Sequence, residues 1–151
     1  MDPIHIPQDS IDRLAIFGVQ FTVTIPASRT DGAFSVFEEI TPPRLGPPLH
    51  IHHAEDEFFR VLAGRYCFRV ANDDVDAGPG DTLVVPRGTP HTFLNVGDGP
   101  GHLFMGFTPG GGEAFFTRVA AEGLTVPADM GRIAALGAEH NLEFLGPNPL
   151  L

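Results

Sequence analysis

The stretch "GPPLHIHHAEDEFF", residues 46–59, brings three histidines and three acidic residues together beside apolar residues. On a β-strand, residues two apart point to the same face, so His50 and His52 present both imidazoles to one side, while His53 points away. Glu57 lies five positions after His52, an odd offset that would place it on the opposite face of a continuous strand. The short polar residues "HAED" therefore predict a turn, after which Glu57 faces inward on a new strand.

A further histidine, His91, follows the segment "PRGTP", whose prolines and glycine define a tight turn just before "HTFLN". Together with His50, His52 and Glu57 it offers three neutral imidazoles and one carboxylate, a mixed nitrogen and oxygen set that suits a divalent transition metal. Four such ligands leave room for water or substrate, as in an open catalytic site. We predict one divalent metal ion, and this ligand set accepts Fe, Mn, Ni, Co, Cu or Zn.

The rest of the chain alternates short apolar runs with turns. Eighteen glycines and fifteen prolines separate runs rich in Val, Phe, Ile and Leu, and about eight such strands predict an antiparallel sandwich or barrel. The candidate strands are residues 14–25, 33–40, 49–52, 57–63, 65–70, 82–86, 91–96 and 102–107.

The pattern changes after the last of these strands. Ala-rich segments with helical spacing, at 111–123 and 127–141, predict two helices that cap or flank the barrel. We interpret the acidic run "NDDVDAGPGD" (72–81) as a hairpin connection, and the tail "EFLGPNPLL" (143–151) as an added edge strand or a disordered segment.

Length and charge restrict the class of protein. With 151 residues, 42% of them hydrophobic, we expect a single domain over 1–151. No window approaches the roughly 18 to 20 apolar residues of a membrane span, and the N-terminus lacks the pattern of a signal peptide, so we expect a cytoplasmic protein. Nine basic against nineteen acidic residues argue against nucleic acid or membrane surfaces as partners. The single cysteine, Cys67, excludes an internal disulfide and is interpreted as a packing residue.

The histidine-bearing segments resemble the two sequence motifs of the cupins. In the first, His50-x-His52 is followed after four residues by Glu57 and after six more by Gly64. The second motif is matched in "GDTLVVPRGTPHTFLN", through Gly80, Pro86, Gly88, His91 and Asn95, and fifteen residues separate the two motifs. The chain is thus similar to the small, single-domain, Cupin_2-like members of the cupin superfamily.

This resemblance implies an all-β fold, the cupin double-stranded β-helix or jelly-roll barrel, over about 14–108, with one or two C-terminal α-helices within about 111–141. It also implies that the metal ligands are His50, His52, Glu57 and His91. The segment "FTPGGGEAFF" (107–116) resembles the continuation seen in quercetin dioxygenase-like cupins. That subgroup implies an oxidoreductase, a metal-dependent dioxygenase that acts on an aromatic or flavonol-like small molecule, with Glu57 as ligand, general base or both.

Two other functional classes fit the same residues. A Zn- or Mn-dependent isomerase, cyclase or hydrolase would use the ion only as a Lewis acid, and a non-enzymatic cupin would bind a small ligand. For any of these functions, the inward-facing residues that we name as substrate-pocket candidates are Phe59, Val61, Tyr66, Phe68, Phe93 and Met105. Aromatic stripes on strands are core residues first and pocket residues second.

The remaining acidic and histidine residues of the first motif are not expected to bind the metal. Strand parity turns His53 away, and Glu55 lies in the turn. Ahead of the first strand, an arm of about a dozen residues, "MDPIHIPQDSID", could add a strand to the sheet of a second copy. We therefore expect a homodimer.

Overall fold

The computed structural model describes residues 1–151 and contains two antiparallel sheets and two short helices. The strands, in chain order, are β1 (Asp12–Ile16), β2 (Val19–Ile25), β3 (Ser35–Thr41), β4 (Leu49–His52), β5 (Asp56–Ala63), β6 (Tyr66–Val70), β7 (Asp73–Ala77), β8 (Thr82–Val85), β9 (His91–Asn95), β10 (Gly101–Thr108) and β11 (Leu142–Gly146). The helices are α1 (Glu113–Glu122) and α2 (Met130–Glu139), and neither is long and apolar enough to cross a membrane.

The strands form a six-stranded sheet in the order β1-β2-β3-β10-β5-β8 and a five-stranded sheet in the order β11-β4-β9-β6-β7. Many neighbours in these sheets are distant in sequence, as in β3 beside β10, which is the connectivity of a jelly roll. The predicted all-β jelly-roll barrel with C-terminal helices is confirmed.

The core lies between the two sheets and is rich in phenylalanine. On β5, Glu57, Phe59 and Val61 are buried and Arg60 is exposed, which is the alternation expected of a strand with one face inward. From the opposite sheet, Phe68 packs edge-on against Phe59, with ring centroids 5.2 Å apart. Aromatic pairs in this geometry contribute about 1 kcal/mol each beyond their burial.

Two predicted elements differ from the structure. The candidate strand 14–25 is a hairpin, because the chain turns back at Phe17 and Gly18, both with positive φ (53° and 79°). A two-residue turn of this kind usually contains Asn or Asp. Because Phe17 takes that position here, the sequence reads as one continuous apolar run and does not indicate the turn. The acidic run at 72–81 is not only a connection, since its first half forms the edge strand β7, which buries only Ala77. An edge strand with both faces in water has no apolar alternation to detect.

The C-terminal segment continues onto the barrel. The predicted helices 111–123 and 127–141 correspond to α1 and α2, and α1 ends at Gly123 in the left-handed conformation, a common helix terminator. Both helices bury apolar residues against the core cluster. The tail then forms β11, which pairs with β4. Of the two interpretations of the tail, the edge strand is therefore the correct one.

Candidate metal centre

Three strands bring the four predicted ligands together. His50 and His52 lie on β4, His91 lies opposite His50 on β9, and Glu57 enters from β5 after the predicted turn. All four side chains are buried, and one ligand atom from each can be chosen so that all lie within 4.8 Å of one another. The cluster could therefore hold one metal ion.

Backbone carbonyls select the tautomers of two imidazoles. His50 Nδ1 lies 2.8 Å from the carbonyl oxygen of Pro48, and His91 Nδ1 lies 2.9 Å from that of Thr89. Since a carbonyl oxygen can only accept, each Nδ1 carries the proton and leaves the Nε2 lone pair available to a metal. The residues present thus fit the divalent metal that the ligand set implies.

Burial and the charge of neighbouring histidines keep the imidazoles of His50 and His52 neutral. For His91, the lowering of the pKa by burial is outweighed by the hydrogen bond and charge of Glu57, so that its pKa is instead raised. Burial, followed by the charge of His91, lowers the pKa of His50 to about 3. Burial, with the neighbouring histidines, also holds the pKa of His52 well below its usual range. Neutral imidazole is the form that binds metal, so neither ring has to lose a proton first.

Glu57 is the one carboxylate of the cluster. Its Oε2 lies 2.9 Å from His91 Nε2 and 3.4 Å from His52 Nε2. Burial raises the pKa of Glu57, and the hydrogen bond and charge of His91 only partly offset that effect. The carboxyl group is therefore both close enough to bind an ion and able to hold a proton nearer neutral pH than a free glutamate.

Glu55 and His53, which were not expected to be ligands, lie outside the group of four. His53 Nε2 is 2.7 Å from Glu143 Oε2 on the exposed side of β4. Glu55 is buried, and its Oε2 lies 3.9 Å from Nδ1 of His52, neither atom having a hydrogen-bond partner. Sequence reasoning missed this neighbour, because turn residues are usually exposed.

An apolar cavity of about 300 Å³ opens onto His50, His52 and Glu57. Fifteen of its twenty-four lining residues are hydrophobic. Most of them come from the β1–β2 hairpin, both helices and β11. The aromatic ones are Phe17, Phe21, Phe93, Phe115, Phe116 and Phe144. Helical segments and the C-terminal strand therefore build much of the wall around the metal centre, outside the two histidine motifs.

The six candidate pocket residues divide into two groups. Phe93 and Met105 line the cavity. The other four do not, and belong instead to the close-packed core: Phe59, Val61, Tyr66 and Phe68. All six face inward as expected, but alternation specifies a face and not the depth at which a side chain lies along the barrel. Residues of α1, α2 and β11 line the cavity in place of these four.

Glu39 is a polar cavity residue that the sequence reasoning missed. It lies on β3 between Phe37 and Thr41, in phase with both, and the alternation of "VFEEIT" could have identified it as inward-facing. Thr41 Oγ1 donates a 2.7 Å hydrogen bond to its Oε1. Burial raises the pKa of Glu39 to about 7, with Thr41 lowering it in part and the charge of Glu57 raising it further.

Comparison with known proteins finds sequence matches over part of the chain. The family model described as "Cupin domain" matches residues 36–107, a range that contains both histidine motifs. A curated relative, the uncharacterized protein MJ1618 of Methanocaldococcus jannaschii, is 33% identical over 66 residues. That alignment covers 44% of this chain and 53% of the relative, so the chain matches about half the length of that protein.

Two solved structures share the fold at low sequence identity. A protein described as a predicted oxalate decarboxylase of Thermotoga maritima has a TM-score of 0.60 and 20% identity, and the match covers 66% of this chain and 91% of that one. The cupin domain of Schizosaccharomyces pombe Cnp3 has a TM-score of 0.60 and 14% identity, covering 83% and 84%. The chain is therefore similar to the cupin domain over residues 36–107, and it shares its fold with these two structures.

Proposed function

We propose that the protein is a mononuclear metalloenzyme of the dioxygenase type, which acts on an aromatic or flavonol-like small molecule. The observation that carries this proposal is the phenylalanine-lined cavity that opens directly onto His50, His52 and Glu57. Aromatic walls favour flat, apolar ligands through stacking and edge-to-face contacts. A few polar groups at one end of such a cavity would orient the ligand.

The residues of the cluster have separate roles in this proposal. His50, His52 and His91 would hold the metal, which when bound supplies Lewis-acid chemistry and, if it is redox-active, the activation of oxygen. Glu57 would accept the proton of a substrate hydroxyl group at Oε2, because burial raises its pKa.

The cavity walls would contribute by excluding water. Phe115 of α1 and Ile133 of α2 are buried and line the cavity beside the β1–β2 hairpin. In the low-dielectric space that they enclose, the interaction between Glu57 and a bound substrate is stronger than it would be in water.

An oxygen-independent reaction is the second candidate. In an isomerase, cyclase or hydrolase with Zn or Mn, Glu57 would carry out the proton transfers beside the ion that the three histidines would hold. The raised pKa of Glu57 favours this role as well, because burial makes its carboxylate a stronger base than that of a free glutamate.

Metal content and oxygen uptake test the proposal. We would measure first-row metals per chain in the wild type, in a His50→Ala, His52→Ala double variant, and in His53→Ala, whose imidazole points away from the cluster, as the matched control. The proposal expects about one metal per chain in the wild type and the control, and none in the double variant.

The same preparations would then be assayed with quercetin in an oxygen electrode. Oxygen consumption that depends on quercetin and on the metal supports the dioxygenase. Turnover of substrate without oxygen consumption would replace it with the Lewis-acid reaction. A protein that takes up no metal on reconstitution would contradict both enzymes and leave a ligand-binding barrel.

A further inference from the structure

Only five polar side chains line the cavity: Glu39, His50, His52, Glu57 and Asn148. Three of them belong to the metal cluster. Asn148 uses its amide group within the protein, since Nδ2 donates to the carbonyl oxygen of Phe93 and Oδ1 accepts from the amide of Leu150, both at 2.9 Å. Both polar atoms of the Asn148 amide thus have a partner within the protein, whereas Glu39 has one carboxylate oxygen, Oε2, without such a partner.

A chain of hydroxyl groups holds Glu39 in place. The Tyr66 hydroxyl donates to Thr41 Oγ1 at 3.0 Å, and Thr41 Oγ1 donates to Glu39 Oε1 at 2.7 Å. No other hydrogen bond within the protein reaches this carboxyl group. The second oxygen, Oε2, is thus available to a molecule in the cavity, while the first has a fixed position.

Glu39 is separated from the cluster. Along β10, Glu39 lies opposite Leu103 and Glu57 lies opposite Phe107, four positions further on. Because β10 lies between β3 and β5, the backbones of the two residues are also about 10 Å apart across the sheet. A ligand that reaches both groups must be elongated, with a polar atom at each end.

A purely structural role does not account for Glu39. Burying a carboxyl group with one hydrogen bond is costly, and a hydrophobic side chain of similar volume would avoid that cost. The surrounding wall includes Phe21 and Met105, so the cavity beside this group is largely apolar. A buried acid in an apolar ligand cavity is typical of a functional group.

We propose that Glu39 is a second substrate-binding group, which hydrogen-bonds a hydroxyl or carbonyl oxygen at the end of the substrate remote from the metal centre. The substrate class is then an elongated aromatic molecule with one oxygen function for the metal cluster and another for Glu39. This inference rests on the proposed function for the metal-bound end. Since the pKa of Glu39 is raised to about 7, its carboxyl group is able to donate to a carbonyl or accept from a hydroxyl near neutral pH.

Two probes that differ by one hydroxyl group test the inference. We would measure the affinities of 2-naphthol and 2,6-dihydroxynaphthalene for zinc-loaded wild type, Glu39→Leu and Glu39→Gln. The matched control is Glu38→Gln, because Glu38 is the preceding residue of β3 and binds His102 on the outer face. The metal content of each variant is measured in parallel and is expected to stay at the wild-type value.

The wild type and Glu38→Gln are expected to bind the diol about tenfold more tightly than 2-naphthol, as for one hydrogen bond to a charged group. Glu39→Leu should bind the two probes equally. Glu39→Gln, which preserves the shape of the side chain and accepts the Thr41 hydrogen bond, should show an intermediate preference for the diol. It also serves as a control in case Glu39→Leu does not fold.

Each alternative outcome is decisive. If the wild type binds both probes equally, or if Glu39→Leu keeps the preference for the diol, the role of Glu39 is wrong and aromatic binding at the metal centre stands. If neither probe binds the zinc-loaded wild type, the proposed aromatic site is wrong, and the inference fails with it.

Discussion

At the scale of single residues, backbone carbonyls set the tautomers of two imidazoles of the cluster. The acceptors of His50 and His91 are the carbonyl oxygens of Pro48 and Thr89, each two residues earlier in the chain. These acceptors belong to the segments that lead into β4 and β9, so the same backbone that starts each strand also orients its histidine. Substitutions in nearby side chains should therefore leave the tautomers unchanged.

Glu57→Gln separates the proton-accepting role from the metal-binding one. The amide keeps the size of the side chain and an oxygen that can face the ion, but it cannot accept a proton. We expect about one metal per chain to remain, with substrate turnover reduced by about 10²- to 10⁴-fold. Elemental analysis with steady-state assays checks this, and a variant that emerges free of metal would instead make Glu57 an essential ligand.

Glu39 should make stability depend on pH. Its pKa is about 7 in the folded protein and near its ordinary value of 4.5 when unfolded, so between these values the native state binds more protons. The free energy of unfolding therefore falls as pH rises, by about 2 to 3 kcal/mol between pH 5 and pH 8 for this group.

Urea unfolding of the chelator-treated wild type and Glu39→Gln measures this contribution. Relative to the wild type, the free energy of unfolding of the variant should increase by that amount from pH 5 to pH 8, because the variant has no buried acid to ionise. Glu38→Gln is the control, since Glu38 is only half-buried and lies on the outer face of the same strand. A difference between Glu39→Gln and wild type that stays constant with pH would contradict the assignment.

At the scale of elements, the segment before β4 lies against β9. The backbone amide of Arg44 donates to the carbonyl oxygen of Asn95, and the backbone amide of Asn95 donates to the carbonyl oxygen of Leu45. A Cβ at Gly46 would lie 1.9 Å from the carbonyl oxygen of Phe93, a backbone atom that cannot move aside alone. Gly46, the first residue of the stretch 46–59, thus allows the close approach that places His50 opposite His91.

Gly46→Ala should therefore separate β4 from β9. We expect a loss of about 3 kcal/mol or more in the free energy of unfolding, and weaker metal binding, because the clash displaces the strand that carries His50 and His52. Thermal or urea denaturation and metal titration measure the two effects. Gly78→Ala is the matched control, since a Cβ there meets no atom within 4 Å. Equal stability of the two variants would refute this account.

At the scale of the whole molecule, the edges of the sheets are the places where a second copy could add. The strand β1 is the edge of the six-stranded sheet, and an arm of eleven residues precedes it. Within the arm, regular structure is limited to one short helical turn at Gln8–Ser10. An extended arm beside an open sheet edge suits pairing between copies.

We predict that the protein is a homodimer and that removal of residues 1–10 makes it a monomer. Light scattering should give twice the chain mass of 16.2 kDa for the full chain and about that mass for the shortened one. Circular dichroism verifies that the shortened chain remains folded. A full-length protein that scatters as a single chain at micromolar concentration would show the prediction to be wrong.

The sequence by itself determined the features that depend on local periodicity and local turns. Strand alternation identifies His50 and His52 as one pair and requires the turn before Glu57, and the proline-rich turn places His91 at the start of β9. The same periodicities predict most of the strands and both helices. Each of these inferences involves residues close together in the chain, for which backbone geometry alone limits the alternatives.

Only the tertiary structure decided what lies around those residues. The pairing of β11 with β4, the cavity wall from α1 and α2, and the burial of Glu39 all depend on contacts between segments far apart in the chain. Alternation shows that Glu39 and Phe59 both face inward, yet one lines the cavity and the other lies in the core. The depth of a side chain within the barrel is set by strand register and by the packing of distant elements, neither of which a local pattern specifies.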